Sequence, residues 1–153
     1  MPIEELKILF KSSNRTVAIL HLINLILNIL TIFVYFIVMY GLKSGFYQKT
    51  GQFSAQSLET ITQALSGNFF FNLLINILFN LTIMILAFNN KSKLAQGKEL
   101  NVFPHQLGYA LLIINSLAEF MSGGLSINFF LQLFYLPFYF ASLRAARLIN
   151  NSI

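Results

Sequence analysis

The sequence predicts an all-α integral membrane protein in which four transmembrane helices form one bundle with both termini in the cytoplasm. Three observations carry that expectation. Of the 153 residues 56% are hydrophobic and only 10% are charged, whereas a soluble domain carries about 25% charged residues. The apolar residues come in long blocks, and a helix rising about 1.5 Å per residue needs about 20 of them to cross a hydrocarbon core of about 30 Å. Lys and Arg stand at the ends of those blocks, where membrane flank charges belong. At this length a single transmembrane domain spanning residues 1–153 is expected.

Residues 2–10 place Ile3, Leu6, Leu9 and Phe10 on one helical face with Lys7 and Lys11 beside it. This is the pattern of a short interfacial helix on a lipid surface, the alternative being the start of the first span. The first span covers residues 17–40, too long for the h-region of a signal peptide and followed by no small-residue cleavage site, so it stays as an anchor. Residues 41–67 form the first extracytoplasmic loop. In it Leu58, Ile61 and Leu65 recur at helical spacing around Glu59, which predicts a second short surface helix.

The second span covers residues 68–88, and residues 89–104 form a polar connection with Lys91, Lys93 and Lys98. Pro104 suits the first turn of the next helix, where its missing N–H has no partner to lose. The third span is residues 105–121 and the fourth residues 126–143. Ser122, Gly123 and Gly124 between them leave room only for a tight turn, so these two spans form an antiparallel hairpin. Pro137 inside the fourth removes the bond that Leu133 C=O would accept and predicts a kink near Gln132 and Leu133.

Orientation follows from Lys and Arg bias. The N-terminal segment, the 89–104 connection and the C-terminal tail hold eight of these residues, and the opposite side holds Lys43 and Lys49 only. Both termini therefore face the cytoplasm of a cell-membrane protein. The Asn-x-Ser/Thr triplets at Asn14, Asn80 and Asn150 then lie where glycosylation does not occur and are read as chance.

Every span has a polar stripe. His21, Asn24, Asn28, Thr31 and Tyr35 fall within an arc of about 80° on the first helix at 100° per residue. Asn68, Asn72, Asn76 and Asn80 form a four-residue ladder on the second. Gly108, Asn115, Glu119 and Ser122 cluster on the third, and Asn128, Gln132, Tyr135, Tyr139 and Ser142 on the fourth. Compositional bias toward Asn would scatter these residues around each helix. Coincident stripes instead mark faces that meet one another, a partner protein or a polar path, because an unpaired amide in lipid is expensive.

Glu119 is the only acidic residue inside a span. Such a carboxylate binds a proton or cation, or answers a base on another chain, or is an interfacial hydrogen-bonded group, and its place three residues before the 122–124 turn puts it in the outer third of the bilayer. His21 and His105 lack carboxylates nearby and are expected as hydrogen-bonded histidines rather than metal ligands. The aromatic crowd of the fourth span is accounted for by interface anchoring and packing. Leu136, Tyr139 and Arg144 also match a sterol-contact pattern too loose to carry weight.

Covalent chemistry has little to work with. Cys is absent, which excludes thiol nucleophiles, thiolate metal sites and palmitoyl anchors, and Asp is absent, which excludes Asp-pair proteases and Asp-based metal transferases. HExxH, G-x-S-x-G and Walker A motifs are missing too. The basic residues form no groove-facing stripe, so no nucleic acid is expected. Neither enzyme activity nor a catalytic residue, metal or cofactor is expected. Two readings of function follow. In the first the chain is a non-catalytic accessory or regulatory subunit packing against a larger membrane complex, or against itself as a homo-oligomer. In the second it is a small oligomeric transporter or channel. In either, Glu119, Asn115, Asn128, Gln132, Asn24, Asn28, Asn72 and Asn76 are the candidate ion, ligand or partner contacts. The first is favoured, because the midplane offers amides and no charge.

Overall fold

The computed structural model describes residues 2–51, 53–65, 67–121 and 127–153, excluding the side chains of 118, 119, 121 and 127–132. It is 87% helical, with no strand among the described residues. The elements are α1 (Ile3–Lys43), α2 (Phe46–Lys49), α3 (Ala55–Ala64), α4 (Gly67–Ala95), α5 (Phe103–Met121) and α6 (Ile127–Asn150). Two helical stretches are long and apolar enough to cross a membrane, α1 and the Ala55–Ala95 stretch that holds α3 and α4. The expected turn at Ser122, Gly123 and Gly124 lies outside the described residues.

The separate N-terminal helix expected at residues 2–10 is not there. Instead α1 runs unbroken for 41 residues, about 60 Å at 1.5 Å per residue. No Gly or Pro interrupts residues 3–40, and the polar Ser12 to Thr16 segment is satisfied by its own helix. Ser13 Oγ donates to Leu9 C=O at 2.8 Å and Thr16 Oγ1 to Ser12 C=O at 3.1 Å, so these side chains do not pull the backbone into a turn. Glu4 and Glu5 in the first turn and Lys43 in the last suit the helix dipole.

A short helix does form around Glu59. Ser54 caps α3, its Oγ accepting from Ser57 N–H at 3.1 Å, the usual way of satisfying an orphan donor of the first turn. Helix α4 overruns the expected polar connection, which begins only after Ala95. It stops at Gly97, where φ is +64°. Gly97 N–H reaches Leu94 C=O and Lys98 N–H reaches Lys93 C=O, the paired bonds of a glycine C-cap. Pro104 lies in the first turn of α5 as expected, and the helical assignment of α6 continues through Pro137 to Asn150.

The chain divides into two units. The first comprises Met1–Leu22 and Leu81–Ile153. One core cluster there joins Leu6 and Phe10 to Leu100, Ala145, Ala146 and Ile149, and a second joins Val17 to Ile83, Leu112 and Tyr139. Contacts of His105 with Ser142, and of Gly108 with Tyr139, make α5 and α6 antiparallel neighbours. Two asparagines fasten the α4–α5 connection. Asn90, fully buried, donates to Asn101 C=O at 2.7 Å and accepts Asn101 N–H at 2.8 Å. Asn150 does the same for Leu100 at 2.9 and 2.8 Å.

The second unit is Ile23–Asn80. Tyr35 of α1 stacks on Phe69 and Phe70 of α4, with ring centroids 6.0 and 5.2 Å away. Tyr47 closes over Gly41, where a Cβ would overlap its ring, and Leu58 of α3 is buried. One face of α1 in this unit is bare: Ile26, Leu30, Phe33 and Ile37 are all at least half exposed. None of the most apolar window of α1 is buried inside the protein. A core helix of a soluble protein is mostly buried, so this face has a different solvent or a partner.

Candidate functional site

The candidate residues divide between the two units. Asn24, Asn28, Asn72 and Asn76 belong to the second, and Asn115, Glu119, Asn128 and Gln132 to the first. The side chains of Glu119, Asn128 and Gln132 lie outside the described ones. Asn115 is half-buried on α5.

In the second unit the α1 stripe lies on the less exposed side of its helix. Asn24, Asn28, Thr31 and Tyr35 are all half-buried, whereas Ile23, Ile26, Leu27 and Leu30 between them are exposed. The α4 ladder behaves differently. Asn68 and Asn72 are exposed, Asn76 is half-buried and Asn80 buried, its amide donating to Asn76 C=O at 2.7 Å. A four-residue spacing turns by about 40° per step at 3.6 residues per turn. The ladder has therefore swung about 120° from Asn68 to Asn80 and cannot keep to one face. Neither Asn28 nor Asn76 has a side-chain hydrogen bond to a described residue. The expectation that these stripes bond across helices is not met at those two positions.

In the first unit a polar seam does close across helices. His21 Nε2 of α1 hydrogen-bonds Tyr139 Oη of α6, with ring centroids 5.9 Å apart. Gly108 of α5 makes room for that tyrosine, since a Cβ there would overlap the ring, and Tyr109 flanks it at 6.1 Å. One turn along, His105 Nε2 meets Ser142 Oγ at 3.2 Å. Phe10 stands edge-on to the His105 ring at 5.9 Å. Two turns back on the same side of α1, Asn14 donates to Ala87 C=O of α4 at 2.8 Å.

The Ser142–His105 pair has the spacing of a nucleophile and its base, so its chemistry needs stating. A working dyad needs a group to orient the second imidazole nitrogen, and a route for substrate. Here His105 Nδ1 has no hydrogen-bond partner among the described residues, and both side chains are 0% exposed. The pair joins α5 to α6. Among the described residues no group of three or more His, Asp or Glu could hold a metal.

Reading the sequence missed the residues that bond most fully. Asn14 and Asn150 stand out in the sequence only as chance triplets and Asn90 only as part of the polar connection, yet each bonds the backbone of another segment. The available signal was Gly108: a glycine in a helical stripe, one turn from His105, facing a helix rich in aromatics. With the geometry in place the chain was compared with known proteins, and no protein-family model, curated protein or solved structure matches it.

Proposed function

We propose that this chain is a non-catalytic, four-span membrane protein, with both termini in the cytoplasm, that serves as an accessory subunit of a larger membrane assembly. The observation that carries the subunit role is Asn72. It is exposed, its side chain has no hydrogen bond to a described residue, and Asn68, one turn before it, is exposed as well. An amide turned toward acyl chains loses its water without replacement, whereas one turned toward another transmembrane helix regains a bond. Asn72 therefore marks a helix-binding face. The four-span reading is supported by α5 and α6, antiparallel and 19 and 24 residues long, with Ile113, Ile114, Leu117, Phe134 and Phe140 exposed along them. The polar groups of the first unit are spent on holding its own helices, which supports a scaffold rather than a path.

Affinity-tagged chain solubilised in mild detergent from its native membrane tests this. One larger membrane protein, or a second copy of the chain, should copurify in stoichiometric amount. Asn72→Leu should lower that recovery about three- to twentyfold, the equivalent of one interhelical amide bond of about 0.6–1.7 kcal/mol, and Asn72→Gln should keep most of it. Proton- or cation-dependent uptake into liposomes by the purified chain, abolished by Glu119→Gln, would overturn the proposal and make it a transporter.

A further inference from the structure

A groove of about 420 Å³ runs between α1 and α4 of the first unit, inside the roughly 300–1,000 Å³ range of small-molecule sites. Its lining joins charge to apolar surface: Lys11, Arg15 and Lys91 are exposed along it, Phe88 is exposed among them, and Ile19 lies one turn beyond Arg15. The levels follow from the Asn14–Ala87 bond. The helices are antiparallel, so the residue four before Asn14 and the residue four after Ala87 stand level. That puts Lys91 opposite Phe10 and Lys11. Arg15, one turn on from Lys11, shares its face. In the other direction α1 continues into Ile19 and α4 into Ile85, both exposed and apolar.

No carboxylate lines the groove. Among the described residues the one ion pair is Lys7–Glu4, which leaves the three groove cations without a counter-charge. Three cations beside the exposed apolar side chains of Phe88 and Ile19 match one kind of molecule, an anion carrying a hydrocarbon chain. A soluble phosphate compound uses the first feature and wastes the second. A fatty chain alone uses the second and leaves the charges unanswered.

We propose that this groove binds an anionic phospholipid, its phosphate held by Lys11, Arg15 and Lys91 and one acyl chain lying along Ile19 and Phe88. The site rests on the membrane reading above, though not on the subunit role. It would fix a lipid at the cytoplasmic edge of the first unit, where α1 enters the bilayer, and tie the stability of α1–α4 packing to the anionic lipid content of the leaflet.

Native mass spectrometry of the detergent-solubilised protein, delipidated and then offered equimolar phosphatidylglycerol and phosphatidylcholine, tests the site. One phosphatidylglycerol should be retained at least about tenfold over phosphatidylcholine. Each cation near an anionic membrane surface contributes enough for replacement by Gln to weaken retention about fivefold, so Lys11→Gln, Arg15→Gln and Lys91→Gln together should weaken it about a hundredfold. These side chains are exposed, so folding is not at issue, and Lys43→Gln with Lys49→Gln should change nothing. Inorganic phosphate should not displace the lipid. Equal retention of both lipids, an unaffected triple variant, or full displacement by inorganic phosphate overturns the lipid site. Protein that stays dispersed without detergent overturns the membrane reading beneath it.

Discussion

Asn90 and Asn28 show what a side chain's identity conveys and what it leaves out. Both are asparagines in an asparagine-rich chain. Asn90 gives both ends of its amide to the backbone of Asn101 at zero exposure, while Asn28 is half-buried without a side-chain bond to a described residue. Asn90→Ala should therefore destabilise the fold by about 2–3 kcal/mol, since it strands a buried donor and acceptor, whereas Asn28→Leu should change stability by about 1 kcal/mol or less. Denaturation by sodium dodecyl sulfate, followed by circular dichroism, measures both. The stripe argument ranked Asn28 above Asn90 because helical angle is visible in a sequence. The partner of Asn90, eleven residues on across a glycine C-cap, is not. The His21–Tyr139 and His105–Ser142 bonds were half legible: every one of these residues stood out as polar, but pairing α1 with α6 requires the fold.

At the scale of elements, helix location was legible and helix length was not. The spans expected from apolar blocks at residues 17–40 and 68–88 lie inside α1 and α4. Both helices run beyond their apolar blocks because residues 3–16 ahead of the first block and 89–95 after the second hold no Pro or Gly to stop them. The fusion of the N-terminal segment to α1 has a direct consequence. Ser12 is exposed but interior to the helix, so Ser12→Pro should cost about 3 kcal/mol or more by removing a backbone bond and crowding the preceding turn. The same denaturation assay reads it. A neutral result would restore a break and a separate surface helix at residues 2–10. α5 and α6 sort differently: His105, Gln106 and Asn115 in one, and Pro137 and Arg144 in the other, dilute their apolar runs. His105 does both: it bonds Ser142 in the seam and dilutes the apolar run of α5.

For the whole molecule, the decisive feature is where the apolar surface points. Phe33, Ile37, Phe71, Leu78 and Phe134 are each more than half exposed, and in water every such side chain forgoes about 1.5–3 kcal/mol of burial. A bilayer would remove that penalty, and in the arrangement proposed above the Lys and Arg bias sets which way the chain threads it. Cysteine is naturally absent, so single cysteines report their side of the membrane without background. Ser13 is a poor position because it is buried; Ser12, Ser54, Ser92 and Ser152 are exposed. In intact cells an impermeant maleimide should label Ser54→Cys and leave Ser12→Cys, Ser92→Cys and Ser152→Cys unmodified until the membrane is opened. Labelling of Ser92→Cys from outside would contradict the four-span arrangement with both ends in the cytoplasm.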